Sequence, residues 1–121
     1  MDVSSVTVGL PVADLRVAVE WYRRVLQLPA PDLEPAEGVV EFRVGTVWLQ
    51  LSEEPIARSG AEVVLGLGVT DAALERERLA AMGLEVGPLV HVEGAVDYVD
   101  LADPDGNRLN LYSMAPQDPP T

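Results

Sequence analysis

The sequence predicts an α+β fold: two tandem βαβββ modules forming a curved, mostly antiparallel sheet, with the helices on its convex face. Three observations predict it. The frame Gly9-Leu10-Pro11-Val12-Ala13-Asp14 returns as Gly66-Leu67-Gly68-Val69-Thr70-Asp71, and two copies at that spacing account for nearly all of the 121 residues. Each copy runs from its Asp into a stretch of helical periodicity and then into alternating apolar and polar residues, the period-two pattern of strands. Apolar residues make up 48% of the chain, enough for a packed core and too many for a disordered segment.

In the first half, Val6 to Val12 reads as a strand, with Val6, Val8 and Leu10 on one face and Thr7 and Gly9 on the other. Pro11 lacks an amide donor, so it ends the ladder or marks an edge. Asp14 is placed to cap a helix running to about Leu26, its carboxylate accepting from the free amides of the first turn. Leu15, Ala18, Val19, Tyr22, Val25 and Leu26 form an apolar stripe at helical spacing. Of Trp21 and Tyr22, one packs inward and the other is half-exposed. Gln27 to Pro35, with three prolines, reads as a loop. Val39 to Val44 and Val47 to Ser52 alternate about a turn at Gly45-Thr46, an antiparallel hairpin with one apolar face. Glu53 to Gly60 is a polar connection, which sets the repeats at about 4–56 and 61–115.

In the second half, Val63 to Val69 repeats the first strand and Asp71 repeats the cap. The second helix reaches Met82, with Gly83 suited to the left-handed position beyond it. Pro88 to Val92 is either a strand or part of a loop. Asp97 to Ala102 and Arg108 to Tyr112 form a last hairpin across Asp103-Pro104-Asp105-Gly106, where an early Pro and a late Gly suit a tight turn. Val99, Leu101, Leu109 and Leu111 are apolar on one face. The Pro-rich stretch 116–121 is expected to be a flexible tail.

Alternation puts Thr7, Glu41, Arg43, Trp48, Gln50, Tyr98, Asp100, Arg108, Asn110 and Tyr112 on the faces opposite the helices. These ten are the candidate ligand-binding residues of a concave, polar and aromatic surface suited to a small molecule. Trp48, Tyr98 and Tyr112 suit a flat or cationic ligand through stacking and cation–π contact. A net charge of −12 repels nucleic-acid backbones and steers cations. No apolar run approaches the roughly 20 residues that span a bilayer. Without cysteine, disulfides and thiolate metal sites are impossible. The start Met1-Asp2-Val3-Ser4-Ser5 does not read as a signal peptide, so a cytoplasmic location is expected.

The run from Val12 to Leu26, with its Asp-capped helix, and Asp103-Pro104-Asp105-Gly106-Asn107-Arg108-Leu109-Asn110-Leu111 resemble the vicinal-oxygen-chelate superfamily. That group includes glyoxalase I, bleomycin-resistance proteins, fosfomycin-resistance enzymes and extradiol dioxygenases, and the resemblance covers essentially the whole chain. It implies metal-ligand positions on the first strand of each half and on each half's last strand, usually His, Glu or Gln. Here those positions fall on Thr7, Gln50, Val64 and Asn110. Transition metals want imidazole or carboxylate donors, and a Val offers none. This departure removes most of the case for the superfamily's metal chemistry and points to its metal-free bleomycin-resistance-like branch.

The leading expectation is therefore a metal-independent protein that binds an antibiotic or natural product, with no cofactor. The alternatives are a glyoxalase-like lyase or isomerase with an atypical metal or acid/base site, for which Glu41 and Asp100 are the candidate catalytic residues, and a non-catalytic structural or regulatory module. His91, the only histidine, lies outside the ligand positions and reads as a surface or hydrogen-bonded residue. The resemblance also implies a homodimer.

Overall fold

Thr7–Val12 forms β1 at one edge of a four-stranded sheet. The amides of Trp48 and Glu54 donate to the carbonyls of Val6 and Val12, so the even-numbered residues of β1 face the neighbouring strand. The nitrogen of Pro11 points the other way, and proline is accommodated within the strand rather than ending it. The computed structural model describes residues 2, 3, 5–55 and 64–114. They belong to two compact units, Met1–Gly60 and Ala61–Thr121.

In the first unit β1 is followed by α1 (Leu15–Val25), β2 (Leu33–Ala36), β3 (Val39–Val44) and β4 (Val47–Glu53), with sheet order β1-β4-β3-β2. Asp14 has extended backbone angles and its carboxylate accepts from the Val17 amide, closing the first turn of α1. The helix stops because Gln27 turns left-handed (φ 55°) and the Leu28 amide folds back onto the Arg23 carbonyl at 3.0 Å. Ala18, Tyr22 and Val25 are buried on its inner face with Leu10, Val12, Val40, Phe42, Leu49 and Leu51 of the sheet. Tyr22 is the inward member of its aromatic pair, and Trp21 meets its ring edge-on at 4.8 Å.

The second unit repeats this plan with β5 (Val64–Gly68), α2 (Ala72–Ala81), β6 (Val90–His91), β7 (Val96–Ala102) and β8 (Arg108–Met114), in order β5-β8-β7-β6. Asp71 caps α2 through the Leu74 amide. Leu65, Ala72, Leu79, Val99, Leu101, Leu109 and Leu111 form its core. Each unit thus has its own mixed four-stranded sheet. The hairpin pairs are antiparallel, while β1 on β4 and β5 on β8 run parallel: the helix crosses over to β2 or β6, and two antiparallel turns then bring β4 or β8 back alongside.

Two sequence expectations are corrected and one open choice is resolved. The loop at Gln27 to Pro35 ends in a strand, β2, pairing with β3 through a register shift between Leu33 and Ala36. Every residue of β2 is exposed, so it carries no apolar alternation, and Pro35 is tolerated because β2 is the sheet edge. The open choice at Pro88 to Val92 resolves to a two-residue strand, β6. Glu53 is not part of the connection but the last residue of β4, and its carboxylate accepts from the Leu15 amide at 2.8 Å. Ser113 does the same in the second unit, its Oγ accepting from the buried Ala72 amide at 2.8 Å. Each helix therefore has a second, long-range cap from the end of its own unit's parallel partner strand.

Val63, most of the connection after Glu53 and the tail at 116–121 lie outside the described residues. Among the described residues no helix is long and apolar enough to cross a membrane.

Candidate functional site

Pairing between strands sorts the polar face of each unit into rows, because directly paired residues project to the same side. In the first unit one row reads Thr7, Trp48, Arg43 and the next Gly9, Gln50, Glu41. In the second unit the corresponding rows read Val64, Arg108, Ala102 and Gly66, Asn110, Asp100, followed by Gly68, Tyr112, Tyr98. The middle row is the same chemistry in both: a glycine, a carboxamide and a carboxylate. The structure thus gathers Thr7, Glu41, Arg43, Trp48 and Gln50 on one face, and Tyr98, Asp100, Arg108, Asn110 and Tyr112 on another.

Within the rows the polar groups have distinct partners. The Asn110 side-chain amide donates to Asp100 Oδ1 at 2.9 Å. Arg43 does not pair with Glu41. Its guanidinium lies 5.3 Å from the centre of the Trp48 ring, and its Nε–H donates to the Gly45 carbonyl at 3.2 Å. The Arg43 backbone amide donates to Asp32 Oδ2 at 2.8 Å, which holds this end of β3 against the preceding segment.

The glycines of these rows went unassigned in the sequence reading. Tyr112, 41% exposed, lays its ring along β5: a Cβ built on Gly68 would stand 3.2 Å from both its Cζ and its hydroxyl oxygen. A side chain there would lift the ring off the strand. The signal was present in the repeat, where Gly68 takes the place of Pro11 and only Thr70 for Ala13 also differs.

His91 belongs to the opposite side of the second sheet, with Asp97 as its paired residue. Its Nδ1 lies 2.5 Å from Asp97 Oδ1, and its Nε2 is 4.0 Å from Glu93 Oε2. The hydrogen bond to Asp97, aided by the charges of Asp97 and Glu93, raises the His91 pKa above its ordinary 6.5 against a smaller opposing effect of desolvation. A group with a raised folded-state pKa stabilises the fold fully below its unfolded value and loses that contribution as pH rises through the folded value. In urea titrations, His91→Gln is expected to be less stable than the parent at about pH 5.5, with the gap closing by about pH 8.5. A gap that widens toward alkaline pH would contradict the assignment.

The donor set does not suit a transition metal. Of the four positions implied by the resemblance, Val64 has no donor atom, Thr7 offers a neutral hydroxyl, and Asn110 offers only a neutral carboxamide oxygen. Gln50 is the one residue there of a type usual for the role. Among the described residues no three His, Asp or Glu side chains are grouped so as to hold a metal ion.

Solved structures of the same fold include a lactoylglutathione lyase from Agrobacterium tumefaciens, 22% identical, with TM-score 0.75 over 93% of this chain and 95% of that one. TnmS3, an antibiotic binding protein from Streptomyces sp. CB03234, is 23% identical, with TM-score 0.77 over 95% of this chain and 99% of that one. A glyoxalase/bleomycin resistance protein from Catenulispora acidiphila DSM 44928 is 23% identical, with TM-score 0.73 over 92% and 98%. Comparison with curated proteins finds no match. The family model of the Glyoxalase/Bleomycin resistance protein/Dioxygenase superfamily matches residues 4–111. That span holds both capped helices and every strand but the last three residues of β8, and the chain belongs to this superfamily.

Proposed function

We propose that this protein binds a small molecule, an antibiotic or other natural product with an aromatic or cationic part, without a metal ion. The observation that carries the reading is the composition of the two polar faces. In the first unit Trp48 shares a face with Thr7, Gln50, Glu41 and Arg43, and in the second Tyr98 and Tyr112 share one with Asn110, Asp100 and Arg108. Aromatic planes supply contact area and a few polar groups fix orientation, which is what a ligand site needs. The metal-ligand positions meanwhile hold Thr7, Gln50, Val64 and Asn110. The fold itself is neutral on this point, since it is shared by an antibiotic binding protein and by a lactoylglutathione lyase.

The acid/base alternative rests on Glu41 and Asp100. It is the weaker reading, because Asp100 is hydrogen-bonded to Asn110. The protein acts in the cytoplasm as a homodimer, an arrangement that would cover exposed sheet edges such as β2.

Calorimetric titration with a panel of cationic glycopeptides and aromatic natural products tests the proposal. Binding that survives treatment with a chelator is expected. A blank across the panel would favour a structural or regulatory module. Stoichiometric zinc, nickel, manganese or iron in protein purified without chelators would overturn the metal-free reading, and turnover abolished by Glu41→Gln or Asp100→Asn would establish the enzyme. Sedimentation showing only monomer at micromolar concentration would refute the dimer.

A further inference from the structure

We propose that the Trp48 face of the first unit is a stacking site selective for planar aromatic acids, with Arg43 as the residue that sets the selectivity. The inference rests on the small-molecule reading above and narrows it. Arg43 is unusual in this chain. Twenty Asp and Glu residues surround eight basic ones, yet the Arg43 guanidinium makes no ion pair among the described residues. Glu41, two residues away on the same strand face, is not its partner. Instead the guanidinium lies over Trp48, anchored through one side-chain hydrogen bond, from Nε–H to the Gly45 carbonyl. Its terminal N–H groups make no hydrogen bond among the described residues.

Two consequences follow from ordinary electrostatics. The π-face of Trp48 already holds a cation, so a cationic aromatic ligand must displace that cation and then lie beside it. A planar acid must also move the guanidinium off the ring, but it keeps that cation as a partner. Its ring stacks on the indole while its carboxylate meets the unused guanidinium donors in a fork that suits it. The local preference is therefore opposite in sign to the net charge of −12, which steers cations toward the protein as a whole.

That opposition makes the proposal testable without any ligand. The chain has two tryptophans, so Trp21→Phe leaves Trp48 as the only indole. Measured against free N-acetyltryptophanamide, Trp48 in that variant is expected to be quenched more efficiently by iodide than by caesium. Adding Arg43→Met should reverse the order, as net charge alone would dictate. With Trp21 in place, acridine-9-carboxylate should bind about tenfold more tightly than 9-aminoacridine, and Arg43→Met should erase the difference. Arg43→Lys, which keeps the charge and loses the planar fork, should retain part of it. Better quenching by caesium than by iodide, or equal affinity for the two acridines, overturns the selectivity and leaves the small-molecule reading standing. Failure of both acridines to bind also overturns the selectivity. Only a blank across the wider panel overturns the reading on which it rests.

Discussion

A Phe42→Ala variant is expected to lose about 4 kcal/mol of stability, the range seen when a large aromatic is deleted from a packed core. Phe42 is fully buried. It sits at the centre of β3, opposite Leu49 of β4, on the same buried face as Val40 and Leu51. Its neighbours in sequence, Glu41 and Arg43, project to the other face and supply two of the candidate site residues. A cavity behind β3 would therefore loosen the strand that aims the Arg43 guanidinium at Trp48. Urea denaturation read by circular dichroism measures the loss, and Phe42→Leu, which refills most of the volume, should cost about 1 kcal/mol. A loss below about 1 kcal/mol for Phe42→Ala would mean that the first unit's core is not built around this ring.

Asp103→Ala is the second large effect, expected at about 3 kcal/mol. Asp103 is a charged residue only 5% exposed, and its carboxylate organises the turn between β7 and β8. One oxygen accepts from the Asp105 and Asn107 backbone amides at 2.9 and 2.8 Å, and the other from the Asn107 side-chain amide at 2.8 Å. Its backbone pairs twice across the same turn, with Asn107 and with Gly106, and Gly106 takes a positive φ of 86° that a Cβ would strain. Removing the carboxylate frees three donors at once in a partly buried place. Asp103→Asn keeps one carbonyl oxygen and should lose about half as much. Amide hydrogen exchange would locate the damage: protection should fall first at the β7–β8 end of the second unit. If Asp103→Ala and Asp103→Asn were equally stable to urea, the carboxylate would not be holding the turn.

Most of the elements were legible because their causes are local. Asp14 and Asp71 each precede an apolar-periodic stretch by one residue, and a carboxylate at that place has little to do except accept from the first turn. Phe42 and Leu49 read as core through plain alternation on either side of a Gly-Thr turn. The elements that escaped had no such local cause. β2 is exposed at all four positions and contains Pro35; backbone pairing with β3 makes it a strand, and pairing leaves no mark on side-chain periodicity. Glu53 and Ser113 cap helices that begin 38 and 41 residues away in sequence, a span no capping pattern covers.

The candidate site divides in the same way. Strand alternation assigned Arg43, Glu41, Trp48 and Gln50 to one face and Asp100, Asn110 and Tyr112 to another, since a side chain's face depends only on its place in a strand. Which of them touch depends on register, and register is set by where β4 and β8, the last strand of each unit, come back alongside β1 and β5. That return placed Gly9 beside Gln50 and Gly68 beside Tyr112, making room for an amide in one row and a ring in the other. The hairpin's turn placed Arg43 opposite Trp48, and geometry within the pair gave the guanidinium to the indole rather than to Glu41. The sequence by itself determined the duplicated modules and their caps, because short-range periodicity suffices for those. The tertiary structure decided the partners of the site's polar groups, because those depend on which side chains meet across and along neighbouring strands.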